Sequence, residues 1–230
     1  MPPVATEIAQ FNLILGQDPR NPGSSAAQFL QKVFDIVKQR EGFIRGYWGI
    51  QDQNPGILVV IVDWEDIKHH QDLVNSEDFA AMTENLVNLV TFENGPPVVT
   101  HVNFTSDAAS ACQSSVTAVK SFRLPEDASE KQKSALEDSF LSLVKVYTTE
   151  TPCSGYACGW VLETLPDDNA PGDEALTFTG IFGWPAKEGP ESSRDNSGDP
   201  ALVAAVEQIL RLALPQKKGD AFDVSLRSFG

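Results

Sequence analysis

Four tryptophans occupy matching positions in the two halves of this 230-residue sequence, and this repetition constrains the fold more than any other feature. Trp48 and Trp160 each lie inside a strand-like segment, in Gly-Tyr-Trp and Cys-Gly-Trp respectively. Trp64 and Trp184 each close the strand-like segment that follows. A repeat of roughly 110 residues is much longer than the units of solenoid proteins. The sequence therefore predicts a duplicated domain.

Each half is predicted to form a strand, a helix, two strands, a helix and a strand, in that order. Apolar residues that alternate indicate the strands, and apolar residues three and four apart indicate the helices. Asn54-Pro55-Gly56 is typical of a hairpin turn. The predicted strands are Thr6–Leu15, Phe43–Asp52, Ile57–Trp64, Val98–Phe104, Ser115–Leu124, Tyr156–Leu165, Ala175–Trp184 and Ala221–Phe229. The predicted helices run from Ser24 or Ser25 to Gly42, from near Glu65 with a second segment that starts at Ser76 and includes Val90, and over Glu126–Val146 and Pro200–Leu214.

The order βαββαβ is that of a ferredoxin-like module, an antiparallel sheet with two helices on one face. The sequence thus predicts an α+β protein with two such modules, residues 1–108 and 109–230. The uncovered face of each sheet must be buried. We expect the two sheets to pack face to face with the helices outside. Because the chain supplies both copies, we expect a monomer that contains an internal pseudo-dimer.

Charge and apolar content exclude several classes of function. The net charge is −15, with 17 Lys and Arg against 32 Asp and Glu, so a nucleic-acid backbone or an anionic membrane surface would be repelled. No apolar run approaches the ~20 residues that span a bilayer. Residues 1–10 have neither a basic start nor an apolar core, so we expect a cytoplasmic protein without a secretory signal.

Motifs for cofactors and metals are also missing from the sequence. The three cysteines, Cys112, Cys153 and Cys158, have no nearby histidines and are expected to be small buried apolar residues. There is no glycine-rich dinucleotide or phosphate loop and no serine nucleophile elbow. His101 has no obvious carboxylate partner along the chain. We therefore expect neither a metal site nor a cofactor.

One segment of the first half resembles a known superfamily. It begins at Tyr47-Trp48-Gly49, includes the strand that ends on Trp64, and continues through Glu65-Asp66-Ile67-Lys68-His69-His70 to Ser76-Glu77-Asp78-Phe79. In this respect the chain resembles the dimeric α/β-barrel superfamily, in particular its antibiotic-biosynthesis-monooxygenase and stress-responsive families. His70 falls on the usual histidine position of that pattern. The second half matches only through Trp160 and Trp184.

The resemblance implies a cleft between sheet and helices that holds a hydrophobic, often aromatic or polyketide-like small molecule. Members of the superfamily include cofactor-free oxygenases, polyketide cyclases and isomerases, haem enzymes and proteins of no known activity. The fold alone does not select among these. Two-module chains of this kind are similar to fungal proteins of secondary metabolism.

Histidine is the side chain best suited to proton transfer near neutral pH, which makes His70 and His101 the candidate catalytic residues. His70 is predicted to lie on the buried face of its helix with Ile67 and Val74, whereas His69 lies one step around the helix. His101 shares a strand face with Asn103. A structural role for either histidine, with a satisfied buried hydrogen bond, remains an alternative.

Five further residues are candidate substrate-binding groups: Arg45, Tyr47, Trp48, Trp64 and Asn103. Arg45 and Tyr47 share a strand face, where an arginine and a phenol are suited to binding a carboxylate or an enolate oxygen. The tryptophans could instead be core residues, because both halves retain them.

The leading hypothesis is a cofactor-independent enzyme that uses a histidine base to oxygenate, cyclise or isomerise a hydrophobic small molecule. The alternative is a non-catalytic binding or stress-responsive protein. All three histidines precede residue 105, and Pro185–Pro190 replaces the histidine-bearing helix after Trp184. We therefore expect a single working site in the first module, with the second module as its structural partner.

Overall fold

The computed structural model describes residues 4–150, 153–166, 174–185, 200–217 and 219–230. The chain forms two compact units. The first unit comprises residues 1–101 and 227–230, and the second comprises residues 102–226. The predicted division after residue 108 lies seven residues beyond the boundary of these units, and the last four residues belong to the first unit instead of the second.

The long strands and helices follow the predicted order, whereas the short helix Ala109–Cys112 was not predicted. The elements are β1 (Ala5–Asn12), α1 (Ser25–Val37), β2 (Phe43–Ile50), β3 (Ile57–Trp64), α2 (Ile67–Val74), α3 (Glu77–Leu86), β4 (Val98–Phe104), α4 (Ala109–Cys112), β5 (Val116–Pro125), α5 (Glu130–Glu150), β6 (Gly155–Val161), β7 (Leu165–Pro166), β8 (Glu174–Trp184), α6 (Pro200–Leu212), β9 (Ala221–Val224) and β10 (Arg227–Phe229). The prediction of an α+β chain is confirmed.

The sheet of the first unit has the strand order β10-β2-β3-β1-β4. Strand β3 is antiparallel to both of its neighbours, β1 and β2. Its sequence, Ile-Leu-Val-Val-Ile-Val-Asp-Trp, is apolar on both faces, and most of it is buried. The register pairs Ala5 with Trp64, which brings the start of β1 to the end of β3.

The helices of the first unit are anchored unequally. Ser24 caps α1 as predicted, and α1 buries four large apolar side chains, Leu30, Val33, Phe34 and Val37. Helix α2 buries only Leu73, and α3 buries none of its side chains completely. The prediction that Val74 faces inward was wrong: Val74 is 40% exposed, because Leu73, three residues after His70, occupies the buried position. Helix α3 is therefore the least firmly held of the three.

The second unit repeats this topology, with the strand order β6-β8-β5-β9 and residues 102–104 of β4 beside β6. This order matches β2-β3-β1-β4, as expected for two βαββαβ repeats. Helix α5 buries Leu136, Phe140 and Leu143, as predicted. Gly180 permits this packing, because a Cβ atom there would overlap the ring of Phe140.

Two features of the second half differ from the prediction or cannot be compared with it. The predicted last strand, Ala221–Phe229, is divided into β9 and β10, and β10 belongs to the first unit. Residues 167–173 of the predicted hairpin loop and the polar stretch 189–199 lie outside the described residues.

The equivalent tryptophans Trp64 and Trp184 are both completely buried, each in the apolar core of its own unit. The three cysteines are free thiols, and burial raises the pKa values of Cys153 and Cys158. No helix among the described residues is both long enough and apolar enough to cross a membrane.

We expect Trp184→Ala to lower the free energy of unfolding by about 3–5 kcal/mol, because it removes a large, fully buried side chain. Chemical denaturation of the variant and the wild type measures this difference. A loss below about 1 kcal/mol would contradict the packing described for the second unit.

Candidate active site

Three polar side chains from separate elements meet inside the first unit. Glu7 comes from β1, His70 from α2 and His101 from β4. One ligand-type atom from each lies within 4.8 Å of the other two. Glu7 and His101 are only 9% and 5% exposed. We call these three residues the Glu-His-His cluster.

The two histidines are joined directly. His101 Nε2 lies 2.8 Å from His70 Nδ1, so one of these nitrogens donates the shared proton to the other. On the opposite side of the ring, His70 Nε2 lies 3.7 Å from Glu7 Oε2. The cluster is therefore a row of carboxylate, imidazole and imidazole. In such a row the carboxylate stabilises positive charge on the central ring.

Trp64 fixes the position of the carboxylate. Its indole Nε1–H donates a 2.9 Å hydrogen bond to Glu7 Oε2. Its ring lies 5.7 Å from that of His70, measured between centroids. The strand register explains this contact, because Ala5 pairs with Trp64 and Glu7 follows two residues later on the same face.

Glu7, His70 and Trp64 line one end of a cavity of about 60 Å³. The remaining wall is apolar and consists of Phe11, Leu30, Val33, Phe34, Val37, Leu58, Val60, Val62, Leu73, Met82, Leu86 and Phe229. This volume has room for a few water molecules. Pockets for drug-sized ligands are typically ~300–1,000 Å³. A larger ligand therefore requires part of the wall to move.

The predicted residues separate into those that reach this cavity and those that do not. His70 and Trp64 line the cavity. His101 does not line it, but its ring is hydrogen-bonded to that of His70. His69 lies outside the cluster, with Nε2 3.9 Å from a carboxylate oxygen of Glu65. Asn103 belongs to the second unit, where it pairs with Trp160.

Arg45, Tyr47 and Trp48 are not among the residues that line this cavity. The Nε–H of Arg45 donates to Asp63 Oδ2 at 2.5 Å, and Asp63 also accepts a hydrogen bond from Thr6. Tyr47 is buried in the core.

Trp48 instead lines a separate cleft of about 640 Å³ in the first unit. The guanidinium of Arg227 lies 5.4 Å from the centre of its ring. Arg20 at the same cleft donates hydrogen bonds to Asp18 and lowers the pKa of that carboxyl. Leu30, Phe34 and Phe229 line both this cleft and the smaller cavity.

Sequence reasoning missed Glu7. The available signal was an acid in the middle of a strand, between Ala5 and Ala9 on the same face. Both alanines are buried, so the carboxylate between them requires partners. The partners lie far along the chain, which is why no metal or acid–base constellation was apparent from spacing.

The second unit lacks this arrangement at the equivalent positions. The register pairs Val116 with Trp184, so Ala118 occupies the position that Glu7 holds in the first unit. Within the described residues the indole N–H of Trp184 has no hydrogen-bond partner. The sequence contains no histidine after residue 101.

We expect Trp64→Phe to destabilise the protein more than Trp184→Phe does, by about 1–3 kcal/mol, because only the first change removes a hydrogen bond from a buried carboxylate. Denaturant titration of both variants measures the difference. Equal losses would contradict the proposed importance of the bond between Trp64 and Glu7.

No protein-family model matches the sequence, and no curated protein matches it. Among solved structures, an anthrone oxidase-like protein superposes with a TM-score of 0.66 at 13% identity, over 98% of this chain and 93% of its own.

Two bacterial structures described as candidate monooxygenases also match over most of their length. The protein from Fusobacterium nucleatum subsp. nucleatum has a TM-score of 0.57 at 6% identity, over 98% of this chain and 94% of its own. The protein from Lactobacillus acidophilus has a TM-score of 0.54 at 8% identity, over 97% and 94%. These matches confirm the fold that the resemblance in the sequence implies, because the chain shares the fold of these three structures over nearly its whole length.

Proposed function

We propose that this protein is a cofactor-independent oxygenase that acts on a hydrophobic, aromatic or polyketide-like small molecule. The observation that carries the proposal is the Glu-His-His cluster at the polar end of an otherwise apolar cavity. The names of the similar structures, an anthrone oxidase-like protein and candidate monooxygenases, support oxygenation over the other reactions considered.

His70 is the proposed base, because it lines the cavity and has an imidazole on one side and a carboxylate on the other. When His70 Nδ1–H donates to His101, the unprotonated nitrogen of His70 is Nε2, which lies on the side of Glu7. That nitrogen removes a proton from an acidic carbon of the substrate. The carboxylate of Glu7 then stabilises the imidazolium, and the proton is retained for the next step.

The resulting carbanion reduces O2, and a carbon–oxygen bond forms to give a peroxide anion. The proton held by His70 moves to the peroxide. Where the acidic carbon is a CH2 group, its second hydrogen is then removed as the O–O bond breaks, which releases water and leaves a carbonyl group in place of the CH2. One O2 is consumed for each substrate, with one oxygen atom retained in the product and the other released as water. Attack of the same carbanion on an internal carbonyl would give cyclisation instead.

Entry of such a substrate requires the cavity to enlarge, and α3 is the part of the wall best suited to move. Its contacts with the core are made by the half-buried side chains Met82 and Leu86, both of which line the cavity. No side chain of α3 is completely buried. Outward movement of this helix therefore exposes less apolar surface than movement of α1 or the sheet.

The sequence supplies the remaining candidate residues and the expected setting of the protein. Trp64 holds Glu7 and forms part of the substrate surface. Arg45, Tyr47, Trp48 and Asn103 remain candidate substrate-binding residues. We propose a cytoplasmic monomer of secondary metabolism that uses no metal and binds a small molecule rather than nucleic acid or membrane.

We expect His70→Ala to lower kcat by about 10²–10⁴-fold, the usual cost of removing a positioned base. His69→Ala is the matched control, because it removes the adjacent histidine outside the cluster. Oxygen uptake by metal-stripped protein with anthrone or a related aromatic carbon acid measures the rate. Equal activity of the two variants would exclude His70 as the base.

The small volume of the cavity favours a second candidate, a non-catalytic protein whose histidines form a structural hydrogen bond. Measurement of O2 consumption distinguishes the oxygenase from the non-catalytic protein. The oxygenase consumes O2 in proportion to the substrate supplied, whereas the non-catalytic protein consumes none with any ligand that it binds.

Met82→Ala should strengthen the binding of a bulky aromatic ligand by about threefold or more, because it enlarges the cavity at α3, at a cost of about 0.5–3 kcal/mol in stability. Fluorescence titration of folded variant and wild type measures the dissociation constants. Val74→Ala, at an exposed position on α2, is the control and should leave binding unchanged. Weaker binding by the Met82 variant would place the ligand elsewhere.

A further inference from the structure

Glu7, His70 and His101 present one carboxylate oxygen and two imidazole nitrogens to a common point. We propose that this cluster also binds a divalent first-row transition-metal ion. The proposal concerns the residues assigned to catalysis above, but it does not rest on that assignment, because metal binding is measured without a substrate.

The distances are close to those that an ion requires. The three ligand-type atoms lie within 4.8 Å of one another. An ion at their centre needs bonds of about 2.0–2.2 Å to nitrogen and oxygen, so each side chain must move inward by less than about 1 Å. The shortest separation, 2.8 Å between His101 Nε2 and His70 Nδ1, is already near that of two adjacent ligands.

The donor set determines the class of ion. Two imidazoles and one carboxylate suit zinc, iron, cobalt or nickel, whereas calcium and magnesium prefer oxygen ligands. The carboxylate also supplies the single negative charge that partly compensates a buried divalent ion.

The surroundings also fit an ion. The Nε1–H of Trp64 donates to Glu7 Oε2, which is the kind of supporting hydrogen bond that orients a carboxylate ligand. The cavity of about 60 Å³ beside Glu7 and His70 has room for water molecules at the remaining coordination positions.

Metal binding and proton transfer would compete. An ion coordinated by His101 and His70 takes the lone pair at which the two rings share a proton, and it occupies the side chain proposed as the base. A bound ion therefore inhibits the metal-free reaction rather than supporting it.

Isothermal titration of Zn²⁺ into the full-length, metal-stripped protein tests the proposal. We expect one site in the wild type. Glu7→Gln, which preserves shape and an acceptor for Trp64, and His101→Ala should each weaken binding at least about tenfold. His69→Ala removes the half-buried histidine beside the exposed Glu65, outside the cluster, and should leave the affinity unchanged. Circular dichroism identifies any variant that fails to fold. If His101→Ala does not fold, the Zn²⁺ affinity of Glu7→Gln alone tests the proposal.

The absence of Zn²⁺ binding to the wild type, unchanged affinity in folded Glu7→Gln, or an equal loss in His69→Ala would each overturn the proposal. Turnover distinguishes it from the proposed function. If the metal-free protein is active and added Zn²⁺ inhibits that activity, the result supports both the metal site and the metal-free oxygenase. If the metal-free protein is inactive and an ion bound at these three residues restores activity, the metal site stands and the metal-free oxygenase fails.

Discussion

The first unit buries the carboxylate of Glu7 in an apolar core, where it would be unfavourable without polar partners. Burial of a charged group without partners is strongly unfavourable, so Glu7 depends on the indole N–H of Trp64 and on His70. His70 in turn is positioned by His101. Four residues from three strands and one helix are thus linked by one buried charge. This dependence explains why a polar group persists at the end of an apolar cavity.

The two units show what this charge adds to the fold. Their strand orders are equivalent, and Trp64 and Trp184 are equally buried. In the second unit, Ala118 replaces the carboxylate and the indole N–H of Trp184 has no partner among the described residues. The tryptophan is therefore a core residue in both units. Among the described residues, its indole N–H donates a hydrogen bond to a carboxylate in the first unit and has no partner in the second. Within the part of the chain that the structure describes, the Glu-His-His cluster therefore belongs to the first unit alone, as the proposed single active centre requires.

The sequence predicts much of the fold because its strongest signals are local. Alternation defines β3, and the Ser24 cap defines the start of α1. His70 and His101 could be singled out because histidine is rare in this chain and chemically distinctive. Glu7 could not, because its role arises from pairing between β1 and β3. The error at Val74 was a shift of one position on a short helix, and the division of the last strand depends on tertiary pairing with β2.

The hydrogen bond between the two histidine rings is the feature on which the proposed proton transfer at His70 depends. Nuclear magnetic resonance of ¹⁵N-labelled histidine side chains measures which ring nitrogens carry protons and which are coupled across a hydrogen bond. The account predicts a coupling between His101 Nε2 and His70 Nδ1, and a change in the tautomer of His70 when an aromatic ligand binds. Independent titration of the two rings, with neither affected by ligand, would contradict it.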